Sequence, residues 1–199
     1  MANRRCNTKK VSSLPIFTFL GFLKHWKSVD LLLYATFIAL KQETFLLRII
    51  GTGLEKEKLE RLAYELGIAQ SVQFKGFIPQ EQCPPLLRES RALVLPSLLE
   101  CGGAVVLEAM AVGVPVIATN WGGPADYITE DCGILVEPSS KIAFIQGLAD
   151  AMLRLARDEP LAKKMGQQGQ KRVETLFSWQ AKIEQIIKIY ERVAKDFKS

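Results

Sequence analysis

Two glutamates separated by seven residues, Glu100 and Glu108, enclose the pair Gly102 and Gly103 in the stretch PSLLECGGAVVLEAMAVGVPVIATNWGGPADYI, which starts at Pro96. Glycines leave the backbone bare, so a ligand can approach it. The free N–H groups and positive dipole end of a helix beginning near Ala104 favour an anion such as a diphosphate. From Ala104 to Val112 every residue except Glu108 is apolar, which predicts a helix buried on most sides. A lone carboxylate there is costly unless a donor meets it, either an Arg or Lys of the protein or the hydroxyls of a ligand. Glu100, on the loop, is placed to reach a second hydroxylated group, and Lys24 and Lys27, on an earlier loop, to add positive charge. His25 reads as a surface loop residue rather than a catalyst. The chemistry indicated is phosphate in the middle with polyols on both sides.

Positioning these residues requires a particular scaffold. Ile16–Leu20 reads as a buried strand ending at Gly21, followed by the polar loop LKHWK and a helix over about Ser28–Gln42, with Ser28 as its cap. Phe45–Ile50 is a second strand. It leads through Gly51, Thr52 and Gly53 into an amphipathic helix closed by Gly67. The turn lacks the third glycine of a dinucleotide fingerprint, Lys56 standing there, and by itself reads as structural. Val72–Phe74, Ala92–Leu95, Val116–Thr119 and Gly133–Val136 read as further strands, with helices near Pro84–Ser90, Ala104–Val112 and Pro124–Ile128 between them. From Lys141 the chain reads as helical, with interruptions near Asp158–Pro160 and Gly166–Ser178. The last helix, Trp179–Phe197, carries Ile183, Ile186, Ile187, Tyr190 and Val193 as a stripe that must pack on something or drive dimerisation. Continuous apolar strands separated by helices argue for a doubly wound, Rossmann-like α/β domain. Its parallel sheet is covered on both faces and its loops gather at the carboxyl edge.

Composition narrows the partners. The chain of 199 residues carries 26 Lys plus Arg and 21 Asp plus Glu, but residues 1–10 hold Arg4, Arg5, Lys9 and Lys10 with no acid, so the excess belongs mainly to the tail. Residues 1–13 are expected to be a disordered basic leader, 14–178 the ligand-binding domain, and 179–199 a helix packing on that domain or on a missing one. Cys6, Cys83, Cys101 and Cys132 show no CxxC spacing and His25 is the only histidine, which argues against zinc and for a reduced, cytoplasmic setting. The apolar run Val29–Leu40 is far shorter than the roughly 20 residues a bilayer span needs. No signal peptide is recognised, so membrane contact is expected to be peripheral at most, at the inner face. Nothing points to nucleic acid.

The stretch quoted above, with CGILVEP after it, resembles the signature region of glycosyltransferase family 4, retaining enzymes with the two-domain GT-B fold. IIGTGLEKEKLERLAYELGI and VQFKGFIPQEQ resemble that family's second and third strand units. The resemblance covers nearly the whole chain, but only the C-terminal, donor-binding half of the family. It implies that Glu108 accepts hydrogen bonds from the ribose of a nucleotide sugar, UDP- or GDP-linked. Glu100 and the backbone at Gly102, Gly103 and Ala104 would hold the hexose and diphosphate. Lys27 would neutralise the diphosphate and lower the energy of charge on the leaving group. Gly51, Gly53, Phe74, Lys75 and Gly76 would surround the base. No metal or further cofactor is implied.

Two departures stand out. The family's arginine after the first strand's glycine is here Phe22, a loss expected to cost about 2–4 kcal/mol of charge stabilisation, with Lys24 as partial substitute. The family's N-terminal half, which supplies the acceptor site, has no counterpart in these residues. The expected function is donor binding for transfer of a hexose to a saccharide or lipid-linked acceptor, in polysaccharide biosynthesis and inactive alone. The alternative is a non-catalytic interaction module. Half of a nucleotide-sugar epimerase would share the architecture but explains the paired glutamates less well.

Overall fold

Five-residue and four-residue segments, mostly apolar except for the edge strand VQFKG, become one six-stranded parallel sheet: β1 (Ile16–Leu20), β2 (Leu46–Ile50), β3 (Val72–Gly76), β4 (Ala92–Leu95), β5 (Val116–Thr119) and β6 (Gly133–Val136). The computed structural model describes residues 14–196; the leader expected over 1–13 lies outside them. Strand order is β3-β2-β1-β4-β5-β6, so the winding direction reverses between β1 and β4. β1 pairs in register with β2 along its whole length, Ile16 facing Leu46 and Leu20 facing Ile50, and with β4 through Phe17 and Thr18. The Rossmann-like α/β domain expected from the sequence is therefore present. Loops following β1 and β4 diverge at the reversal, where such sheets bind ligands.

Helices cover the sheet in two layers. α6 (Lys141–Arg157), α1 (Val29–Leu40) and α2 (Lys56–Glu65) are neighbours in one layer, while α3 (Cys83–Arg88), α4 (Ala104–Ala111) and α7 (Glu159–Arg172) are neighbours in the other. α1 is apolar nearly all round because α6, α2 and the sheet enclose it, burying Leu31, Leu32, Leu33, Ala35 and Ala39. Beneath it Phe17 and Phe45 meet edge to face at 5.1 Å, each fully buried. Burial of each such ring contributes about 1.5–3 kcal/mol. On the other face the buried Arg48 of β2 donates to the Leu86 carbonyl and to Glu89, both at 2.9 Å, and ties α3 to the sheet.

Two expectations are corrected. Ser28 does not cap α1 with its side chain; it is buried in a left-handed conformation, φ 51°, and turns the chain from a short 3-10 turn into the helix. The interruption expected over Gly166–Ser178 begins only after Arg172. Gly166 and Gly169 lie inside α7 and serve packing, since a Cβ at Gly166 would stand 1.9 Å from the Gly113 carbonyl oxygen. A π-helical turn, Val173–Phe177, then leads into α8 (Trp179–Asp196), which packs against that turn; Ile183, Ile186, Ile187, Tyr190 and Val193 lie exposed along it. Among the described residues no helix is long and apolar enough to cross a membrane.

Candidate anion-binding site at the carboxyl edge

Lys27 reaches the site because the loop after β1 is anchored rather than loose. Leu23 of the nominally polar LKHWK segment is fully buried, its N–H donating to the Thr52 carbonyl at 2.8 Å, and His25–Lys27 form a 3-10 turn. The loop after β4 is tied to it by the Leu98 N–H donating to the Trp26 carbonyl at 2.9 Å. This bond brings Glu100 to Lys27. Lys27 Nζ lies 2.5 Å from Glu100 Oε2, with only 19% and 12% of the two side chains exposed. Glu100 Oε1 in turn accepts the Gly103 N–H at 3.2 Å.

Gly103 is the N-cap of α4 in a left-handed conformation, φ 58°. The first amides of the helix have no partner within it, and its dipole adds partial positive charge at the same point. Gly102 and Ala104 are exposed, and a Cβ on Gly102 would meet nothing within 4 Å, so the backbone there is open to a ligand. The loop is braced from behind by the turn before α5 (Gly123–Tyr127). Gly122 and Gly123 let that turn approach so closely that added Cβ atoms would stand 2.0 Å from the Glu100 carbonyl oxygen and 2.5 Å from that of Gly102. The Gly123 N–H also donates to the Cys101 carbonyl at 3.1 Å.

Glu108 lies about one turn into α4 and is less enclosed than its apolar neighbours imply. Only Val106, Ala109 and Met110 of the helix are buried, because α4 covers the sheet with one side and lines the edge with the other. The donor that meets Glu108 is neither an Arg nor a Lys but Gln80, whose Nε2 lies 3.3 Å from Oε1. Gln80 follows β3 in the segment leading to α3, and it is the residue that links the β3 end to the carboxylates. Nearby, burial and then the negative charges of Glu108 and Glu81 push the Cys83 thiol up from its ordinary value.

The other expected residues divide. Gly51 and Gly76 are joined by the Gly51 N–H donating to the Gly76 carbonyl at 2.8 Å, which places the ends of β2 and β3 together with Phe74 and Lys75 on the same edge of the sheet. Gly51 and Gly53, however, pack against the β1 loop. Added Cβ atoms would stand 1.9 Å from the Gly21 oxygen and 2.2 Å from the Leu23 oxygen. Lys24 does not join Lys27; its ammonium sits over the Trp26 ring at 4.8 Å and the exposed Phe22 ring at 5.9 Å. Sequence reasoning missed Gln80 and Ser97. The latter is a buried hydroxyl on the Glu100 loop with no hydrogen-bond partner among the described residues. Among the described residues no cluster of His, Cys, Asp and Glu is suited to a metal ion. A separate hollow of about 470 Å³ at the opposite, amino edge of the sheet, near Arg91, Pro115 and Lys163, includes none of the site residues.

Comparison with known proteins agrees with the fold. D-inositol 3-phosphate glycosyltransferase of Corynebacterium jeikeium is 37% identical over 142 residues, covering 71% of the chain and 33% of that protein. Sucrose-phosphate synthase of Thermosynechococcus elongatus superposes with a TM-score of 0.78 at 31% identity, over 92% of this chain and 46% of that one. The C-terminal domain of the glycosyl transferase group 1 protein LpcC from Francisella tularensis gives 0.74 at 29% identity, over 83% and 87% of the two chains. The chain spans less than half the length of the first curated relatives it matches. The model of the family described as glycosyl transferases group 1 matches residues 3–172, and the chain belongs to that family.

Proposed function

We propose that this chain is the donor-binding half of a family 4 retaining glycosyltransferase of GT-B architecture, which moves a hexose from a nucleotide diphosphate sugar to a saccharide or lipid-linked acceptor in polysaccharide assembly. The observation that carries the reading is the convergence of the Lys27 ammonium, the open start of α4 and two carboxylates at the point where the sheet reverses. In this reading Lys27 and the amides at Gly103 and Ala104 receive the diphosphate and stabilise charge developing on the leaving group. Glu108 accepts from the ribose hydroxyls, Glu100 from the hexose, and Gly51, Gly53, Phe74, Lys75 and Gly76 flank the base, UDP- or GDP-type. The acceptor site belongs to a second half, so these residues alone bind donor weakly and transfer little sugar. The setting is cytoplasmic, with at most peripheral contact at the inner membrane face.

Calorimetric titration with UDP-glucose and GDP-mannose tests the reading, and absence of heat with either at millimolar concentration would sink it. Glu108→Gln is expected to weaken binding of these nucleotide sugars by about tenfold, as for loss of a charge-assisted hydrogen bond, and more than Glu100→Gln does. A second reading, a non-catalytic interaction module, is favoured by Phe22, 66% exposed where the family's cation would stand, and by Lys24 being held over aromatic rings. Co-expression with a matching N-terminal half separates the two. Restored sugar transfer supports the enzyme, and binding to that half without transfer supports the module.

A further inference from the structure

Glu100 is held by the two groups that an incoming anion would use. One carboxylate oxygen lies 2.5 Å from the Lys27 ammonium and the other accepts the Gly103 N–H at 3.2 Å. Lys27 is the only cation within 4 Å of Glu100 among the described residues, and Lys24, the other cation of that loop, sits over Trp26 and Phe22. The positive charge at the start of α4 is therefore offset locally by a carboxylate that takes up the Gly103 N–H and the Lys27 ammonium. Like charges brought together here, where the pair is mostly out of water, repel more strongly than they would in open solvent.

We propose that Glu100 acts as an internal anion that sets ligand specificity, making the site discriminate a nucleotide sugar from the bare nucleoside diphosphate. The inference rests on the donor-site reading above. A bare nucleoside diphosphate must displace the carboxylate from Gly103 or lie beside its charge, and with its ribose hydroxyls directed to Glu108 it brings no hexose hydroxyl to donate to Glu100 in return. A nucleotide sugar brings hexose hydroxyls, which donate to Glu100 as it leaves Gly103 and Lys27, so the lost bonds are replaced. The product left after sugar transfer is then the ligand that the site holds less well.

Isothermal titration of the full chain and of its Glu100→Gln and Glu100→Ala variants, with UDP and UDP-glucose and with GDP and GDP-mannose, tests the proposal. Removing the charge is expected to tighten binding of the bare diphosphate by about three- to tenfold and to weaken that of the sugar nucleotide, whose hexose hydroxyls lose their charged acceptor. Circular dichroism melts establish that each variant is folded, and Glu100→Ala gives a second measurement should the glutamine variant lose the loop. Unchanged or weaker binding of the bare diphosphate in the folded variants overturns the proposal, as does equal tightening of both ligands. If wild type takes up none of the four probes, the donor-site reading fails and this inference with it; if wild type binds and the variants match it, only this inference fails.

Discussion

Replacing Gly122 by alanine separates the strain of an unusual backbone from the close contact that braces the Glu100 loop. Gly122 has φ 60° and ψ −150°, a region occupied almost solely by glycine. Its added Cβ would stand 2.0 Å from the Glu100 carbonyl oxygen, so the two chains must part by about 1.4 Å to reach the 3.4 Å of ordinary contact. Backbone strain of about 1–3 kcal/mol and overpacking of about 1–3 kcal/mol together predict a loss of about 2–6 kcal/mol. Gly67 is the matched control, with φ 70° and nothing within 4 Å of an added Cβ. Gly67→Ala should cost only the left-handed conformation, about 1–2 kcal/mol. For a chain of this size about 2–4 °C of melting temperature corresponds to each kcal/mol. At about 3 °C per kcal/mol, the middle of that range, thermal melts should fall by about 3–6 °C for Gly67→Ala and about 6–18 °C for Gly122→Ala. Calorimetry on the folded protein at low temperature should show weakened nucleotide binding for Gly122→Ala alone. Melting within 2 °C of the Gly67→Ala protein would refute the claim that this turn is pressed against the loop.

Gln80→Ala is expected to weaken nucleoside diphosphate binding by about two- to fivefold through its bond to Glu108, and to have no effect in a Glu108→Gln background; an equal loss in both backgrounds would show that Gln80 acts by another route. Glu159 gives a pH test of folding. The Lys163 ammonium hydrogen-bonded to it, and then Arg91, hold its carboxyl below the ordinary value of 4.5. The proton therefore binds more weakly in the folded chain, so the contribution to stability is present above that value and is lost as pH falls through the depressed one. Glu159→Gln should melt below wild type at pH 7, with the difference closing towards pH 3; a gap that stays constant would refute the assignment.

The sheet was legible because its signals are local. Ile16–Leu20, Ala92–Leu95, Val116–Thr119 and Gly133–Val136 are continuous apolar runs bounded by turn residues, and each is a strand over those residues. Lys27, Glu100 and Gly103 were equally legible as candidates and lie together. Their pairing was not, since it depends on β1 and β4 lying side by side and on one backbone bond between Trp26 and Leu98. Gln80 was hidden for the same reason, as nothing local marks a glutamine that touches a residue 28 positions away. Gly166 and Gly169 misled because glycine lowers helix propensity by about 1 kcal/mol, whereas close packing of α7 on the Gly113 turn requires residues without side chains. The exposed stripe of α8 shows the limit of periodicity, which identifies a face but not its cover.

The ion pair at the centre of the site joins residues 73 positions apart, and β1 meets β4 through only two registered pairs. Neither segment can form half of the pocket and wait for the other. Bringing Lys27 and Glu100 together closes a long loop that contains β2, β3 and the intervening helices, and the entropy of that closure is recovered only as non-local contacts form. Any ligand that needs both residues consequently recognises the assembled sheet and not a fragment of it. Its binding should protect backbone amides of β1 and β4 from hydrogen exchange through global unfolding, rather than through local loop opening.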